Sequence, residues 1–203
     1  MVLHTRAYAA EFLGTAILTL LVSLSLVRTL LVPTPIVAGL TLGMIVFAFG
    51  PVSGVHVNPA VTLSLLSIKK ITPREAGFYI LAQIAGALLA MLLTFVLTGM
   101  IPALYPKDAL DLHTLQVVLA EAFGAFVFVS GICAVVYGKV KPEFGGFVVG
   151  GSLLMGILLA SGISNGVLNP AVALGIGSLS LSYVIGPIIG GCSAAWAYRW
   201  IVR

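Results

Sequence analysis

Charge is what this sequence has least of. Ten Lys and Arg with six Asp and Glu make up 8% of its 203 residues, against about 25% in a soluble domain. Hydrophobic residues reach 60%. A water-soluble fold is excluded, and residues 1–203 read as one integral membrane domain. Two cysteines and three histidines, with no metal-ligand spacing among them, exclude a disulfide scaffold and leave no metal signature. Cys133 and Cys192 read as small packing residues. No nucleophile, base and oxyanion arrangement and no phosphate-binding glycine loop occurs, so neither catalysis nor a cofactor is expected. Basic clusters interleaved with aromatics are missing too, so no nucleic-acid partner is expected, and the +4 net charge belongs to membrane topology.

What the chain does have is a repeated core, Asn-Pro-Ala-Val-x-Leu, within residues 56–63 and again within 167–174. An Asn just before a Pro opens a helix. The Asn side chain caps orphan N–H groups, and Pro at the first helical position has no N–H to lose. Asn58 and Asn169 are offset by 111 residues (169 − 58). Ala-Glu-Phe-Leu-Gly-Thr-Ala from Ala10 and Ala-Glu-Ala-Phe-Gly-Ala-Phe from Ala120 place Glu11 and Glu121 110 apart (121 − 11), and Gly14 and Gly124 keep that offset. One element order is therefore used twice, in repeats of about 1–100 and 114–203.

The periodicity and the prolines predict six spans at about 8–32, 36–50, 75–98, 115–137, 145–161 and 181–202. The first is too long for the apolar core of a signal peptide, and no small-residue cleavage site follows it. The second is short and glycine-interrupted, the pointer to a site built from broken helices. Gly39/Gly43, Gly86/Ala90, Gly146/Gly150 and Gly186/Gly190 offer small faces for close helix contact. Residues 99–113 join the repeats as a polar loop. The run after Pro59 lasts only two to three turns, roughly 12–15 Å, about half a bilayer core. The prediction is thus an all-α membrane protein of six transmembrane helices and two re-entrant half-helices in an inverted repeat. With the N-terminus cytoplasmic, Arg6, Lys69, Lys70, Arg74, Lys139, Lys141, Arg199 and Arg203 fall inside and only Arg28 and Lys107 outside, a strong positive-inside bias. Both termini are then cytoplasmic, and the half-helix N-termini point at each other.

Two such N-termini, each carrying about half a positive charge, repel a cation or hydronium at the midplane. Asn58 and Asn169 can cap their helices and still offer amide donors to a passing oxygen; capping alone is the plainer reading. Glu11 and Glu121 lie deep in apolar runs, where a carboxylate is expensive. They either anchor the half-helix loops or, for Glu11, snorkel to the boundary. His56 falls in the re-entrant loop facing a cytoplasmic vestibule, as a satisfied loop imidazole or a pH-sensitive group.

Those two Asn-Pro-Ala segments, the Ala-Glu-x-x-Gly-Thr start of the first span and its counterpart around Glu121 resemble the aquaporin, or major intrinsic protein, family over essentially the whole chain. The resemblance implies a right-handed six-helix bundle, half-helices meeting at mid-membrane on Asn58, Pro59, Ala60 and Asn169, Pro170, Ala171, and a homotetramer with one pore per subunit. It also implies a narrow filter at Ala38, Ile157, Gly166 and Val172. Water-selective relatives usually place an aromatic, a His, a small residue and an Arg there. The missing Arg normally supplies donors and positive charge, so this set predicts a wider, apolar mouth, and Ala173 stands where glycerol-conducting relatives tend to place an Asp. The expected function is a passive channel for water and small uncharged solutes in the cell membrane. An alternating-access carrier built on the inverted repeat, or a closed-pore structural protein, are the alternatives.

Overall fold

The computed structural model describes residues 4–27, 31–100 and 112–203, without the side chains of 112 and 113. Arg28, Lys107, the His113 side chain and most of the 99–113 connection lie outside the described residues. Among the described residues there are eight α-helices and no strand: α1 Thr5–Val27, α2 Thr34–Ser53, α3 Pro59–Ser67, α4 Pro73–Thr98, α5 Leu112–Val136, α6 Gly145–Ala160, α7 Pro170–Gly175 and α8 Ser182–Ile201. A single 3-10 turn, Pro142–Phe144, leads into α6.

The first two helix ends differ from the sequence expectation. α1 begins earlier, on the His4 carbonyl, which accepts from the N–H groups of Ala7 and Tyr8. Leu31 and Val32 are bent rather than helical; Val32 stands directly before Pro33, and a residue in that place is pushed out of the α region. α2 does not stop at Gly50 but runs through Pro51 to Ser53. A proline in the last turn forfeits one helical hydrogen bond, and the chain leaves the helix only at Gly54, φ 81°, whose N–H bonds the Gly50 carbonyl at 2.9 Å. At 20 residues, α2 is about 30 Å long, enough to cross a bilayer core. The half-helices are far shorter, with nine residues in α3 and six in α7.

Five of the described helices are long and apolar enough to span. α8 has the length, with 20 residues, but Gly, Ser, Tyr and Pro187 dilute its apolarity. α8 packs along α5 as α4 packs along α1, and α6 pairs with α5 as α2 pairs with α1. The half-helices are exchanged: α3 lies against α8 of the other repeat, and α7 against α4. α2 and α6 meet across the pseudo-two-fold axis on their glycines. A Cβ on Gly39 would lie 2.8 Å from the Gly150 carbonyl oxygen, and one on Gly43 2.9 Å from that of Gly146. Backbones touch there, so any side chain would pry the repeats apart. Large apolar residues such as Leu81, Val96, Phe147 and Trp200 are exposed, while Ala87, Ala90, Ala194 and Ala195 are buried. That is the pattern expected where lipid solvates the outside and small residues let helices approach.

Candidate functional site

Each Asn-Pro pair starts its half-helix by the local chemistry written into it. Asn58 is extended at φ −158°, and its Oδ1 accepts from Ala60 N–H at 2.8 Å. Asn169 Oδ1 accepts from the N–H groups of Ala171 and Val172 at 3.0 and 3.3 Å. The remaining amide ends cross over. Asn58 Nδ2 donates to the Leu168 carbonyl, and Asn169 Nδ2 to the Val57 carbonyl, both at 2.9 Å. An amide nitrogen carries two N–H donors, so each keeps one beyond this tie, and both residues line one cavity.

The loops that deliver the two Asn residues are bent by paired left-handed residues, Val55 (φ 50°) and Val57 (41°) in one, Gly166 (60°) and Leu168 (55°) in the other. For a β-branched Val this conformation costs about 1–3 kcal/mol. It turns consecutive N–H groups toward one carboxylate. Glu11 accepts from the N–H groups of His56 and Val57 at 2.8 and 2.6 Å, from Ser53 Oγ at 2.8 Å and from Gln83 Nε2 at 2.8 Å. Glu121 accepts from Val167 and Leu168 at 3.0 and 2.7 Å and from Ser164 Oγ at 2.7 Å. Hydrogen bonds to a charged acceptor contribute roughly 1.5–3 kcal/mol each, enough to offset the strain. Both carboxylates are fully buried. Neither snorkels. Gly14 and Gly124 leave room for the strained residues: a Cβ there would sit 2.7 Å from Val57 Cγ1 and 2.6 Å from Leu168 Cδ2.

The cavity has a volume of about 320 Å³, and Thr34, Ser161, Asn165 and Ser178 add polar groups to its lining besides those of His56, Asn58 and Asn169. Its walls come in layers, set by residues four apart on helices rising 1.5 Å per residue. Below Thr34 and Ser161 lie Val22, Ala38 and Ile157, then Leu18, Leu42 and Leu153. Val172 and Gly166 complete the wall, and Asn58, Asn169 and His56 form the floor. All four positions expected to surround the mouth therefore face one space with both Asn residues. Among the lining residues none carries Asp, Glu, Lys or Arg chemistry. His56 is 9% exposed, its Nδ1 is 3.1 Å from Thr62 Oγ1, and its ring stands edge-on to Tyr79 at 5.0 Å. Cys133 is buried in α5 and Cys192 half-buried in α8. Among the described residues no group of three His, Cys, Asp or Glu could hold a metal.

Several supporting residues escaped the sequence reading. Ser53 and Ser164 each stand five residues before their Asn, and each bridges its Glu to the loop by accepting from Val55 N–H or Gly166 N–H at 3.0 Å. Tyr79 donates to the Ser53 carbonyl at 2.8 Å, and Tyr183 accepts from Asn165 N–H at 3.0 Å. The repeated Ser at that spacing was a usable signal. Gln83 has no counterpart, since Pro187 occupies the matching place on α8, and it also donates to Thr62 Oγ1 at 3.0 Å.

The family model of the major intrinsic proteins matches residues 1–198. The chain belongs to the major intrinsic protein family. Members of this family are channels and not enzymes. The chain is 33% identical to the probable aquaporin AqpM of Archaeoglobus fulgidus over 81% of its own length and 74% of that protein's. It is 32% identical to the glycerol uptake facilitator protein-like 6 of Lactiplantibacillus plantarum, over 96% and 97%. Aquaporin NIP1-1 of maize is 31% identical over 82% of this chain, which spans 61% of the maize protein. The X-ray structure of the aquaglyceroporin from Plasmodium falciparum shares the fold of this major intrinsic protein with a TM-score of 0.74 at 20% identity, covering 98% of this chain and 97% of that one.

Proposed function

We propose that the cavity is the outer half of a passive pore for water and small uncharged solutes, with Ala38, Ile157, Gly166 and Val172 as its selective ring. One observation carries this: those four residues and the amides of Asn58 and Asn169 line a single space walled by apolar side chains. A solute entering exchanges water for the hydroxyls and amide at the mouth, passes a ring that offers little bulk, and meets the amide donors at the floor. Ions have no such exchange, because no lining carboxylate or cation replaces their hydration and two helix N-termini oppose a proton at the floor. Glu11 and Glu121 hold the loops and do not relay protons. Names of relatives such as the glycerol uptake facilitator-like protein agree with a solute range wider than water.

Purified protein in proteoliposomes, followed by stopped-flow light scattering, is expected to pass water and at least one of glycerol and urea, with little proton leak. Water flux alone, or no flux from intact protein, rejects this reading. The channel is further proposed to sit in the cell membrane as a homotetramer, as its family membership implies, with both termini cytoplasmic, on the charge distribution along the chain. A tag after Arg203 is expected to resist labelling in intact cells and to label after permeabilisation; labelling from outside intact cells reverses the orientation.

A further inference from the structure

The basic end of the bundle carries a cluster that the pore does not use. Where α3 ends, the Ile68 carbonyl accepts a long contact from Arg199 Nη1 at 3.5 Å. Two residues on, Lys70 Nζ stands 4.2 Å from the centre of the Tyr137 ring. Tyr137 in turn packs on Tyr198 at 5.7 Å, and the Arg199 guanidinium lies 5.1 Å over Trp196. Two separate ring contacts, Lys70 on Tyr137 and Arg199 on Trp196, thus hold the cations, and Arg199 reaches a carbonyl only two residues from Lys70; each cation–π contact pre-orders a side chain that is otherwise costly to fix. Neither cation has a carboxylate partner among the described residues; Glu75, at this end, stands 3.9 Å from His4. Below them α8 presents an exposed apolar stripe at helical spacing, Ile185, Ile189, Trp196 and Trp200, with Trp200 81% exposed. Tryptophans at the end of such a stripe sit at headgroup depth.

We propose that Lys70 and Arg199 bind the phosphate of one anionic phospholipid whose acyl chain lies along α8 beside Ile189 and Trp196. Two uncompensated cations favour a headgroup with net negative charge over a zwitterionic one. The apolar stripe running down from them favours a lipid over a soluble anion. The bound lipid would also bear on the pore, because Arg199 reaches the end of the half-helix that begins at Asn58.

Native mass spectrometry of the full chain, with phosphatidylglycerol or phosphatidylcholine added to the micelles, tests this. The wild type is expected to retain phosphatidylglycerol preferentially. Lys70→Gln removes one cation without touching the Ile68 contact and is expected to lower the retained phosphatidylglycerol about fivefold. Arg6→Gln and Lys141→Gln, which remove charge elsewhere at the same end, are expected to leave it unchanged. Arg199→Gln is expected to lose the lipid and some thermal stability together. Equal retention of both lipids by the wild type overturns the proposal. So does an equal loss in Lys70→Gln and Arg6→Gln, which means diffuse surface charge. Displacement of the lipid by millimolar inorganic phosphate assigns a soluble-anion site and overturns it as well.

Discussion

Val172→Arg is expected to lower the permeability of a glycerol-sized solute at least about tenfold, a rise of ~1.4 kcal/mol in its barrier, while water flux falls much less. Val172 is buried in the first turn of α7, on the cavity wall with Ala38, Ile157 and Gly166. An Arg there fills the ring with a planar cation bearing five donors. A water molecule can pass beside it by exchanging hydrogen bonds one at a time. A polyol must fit its carbon skeleton through the same space, and the walls it would press on at this layer are already side chains. The cation near the start of α7 costs up to about 2 kcal/mol against the helix dipole at a partly buried site, and its desolvation adds to that, so size-exclusion chromatography of the variant accompanies the flux measurement. Stopped-flow measurements on the two proteins decide it: an unchanged ratio of solute to water flux places the selective ring elsewhere.

Glu11→Ala is expected to be the most damaging of the single substitutions considered. It leaves two backbone N–H groups, one hydroxyl and one side-chain amide N–H without their acceptor, and of these donors only the Ser53 hydroxyl belongs to a partly exposed residue. Each orphaned donor costs about 1–3 kcal/mol, and the left-handed Val55 and Val57 lose what offsets their strain. The sum rivals the whole stability of a domain, so loss of the folded species in size-exclusion chromatography is expected. Glu11→Gln is the softer test. Its single carbonyl oxygen serves only part of the donor set, and its own NH2 faces donors, so a lower melting temperature and reduced water flux are expected from protein that still folds. Wild-type melting and flux in both variants would show that the carboxylate does not hold the loop. Glu121→Gln should act the same way on the second loop, with a smaller loss because Glu121 has no partner corresponding to Gln83.

The features legible in the sequence were those whose physics is contained in a few neighbouring residues. Asn before Pro states a capped helix start in two letters, and an 8% charged composition states a lipid solvent. Glycine pairs on α2 and α6 marked close faces, though not that the two faces meet each other. Helix ends were misjudged where a proline was read as a stop, because Pro51 falls in a last turn that can spare one bond. The anchoring residues were hidden by distance: Ser53 and Ser164 reach carboxylates 42 and 43 positions away, and Tyr79 acts across 26. The Tyr pair was masked further by register. Tyr79 and Tyr183 are 104 apart (183 − 79), not 111, since the connections differ in length between the repeats.

The crossed amide ties also set an order in time. Asn58 Nδ2 finds its acceptor 110 residues later, at Leu168, and Asn169 reaches 112 residues back to Val57. At about 5–20 residues per second of synthesis, the first half-helix waits some 5–20 s with its amide unmatched, held by Glu11, Ser53, Tyr79 and Gln83 of its own repeat. Neither half of the chain can finish its own loop, so a ribosome stalled after residue 100 leaves an unclosed insertion and not half a conduit.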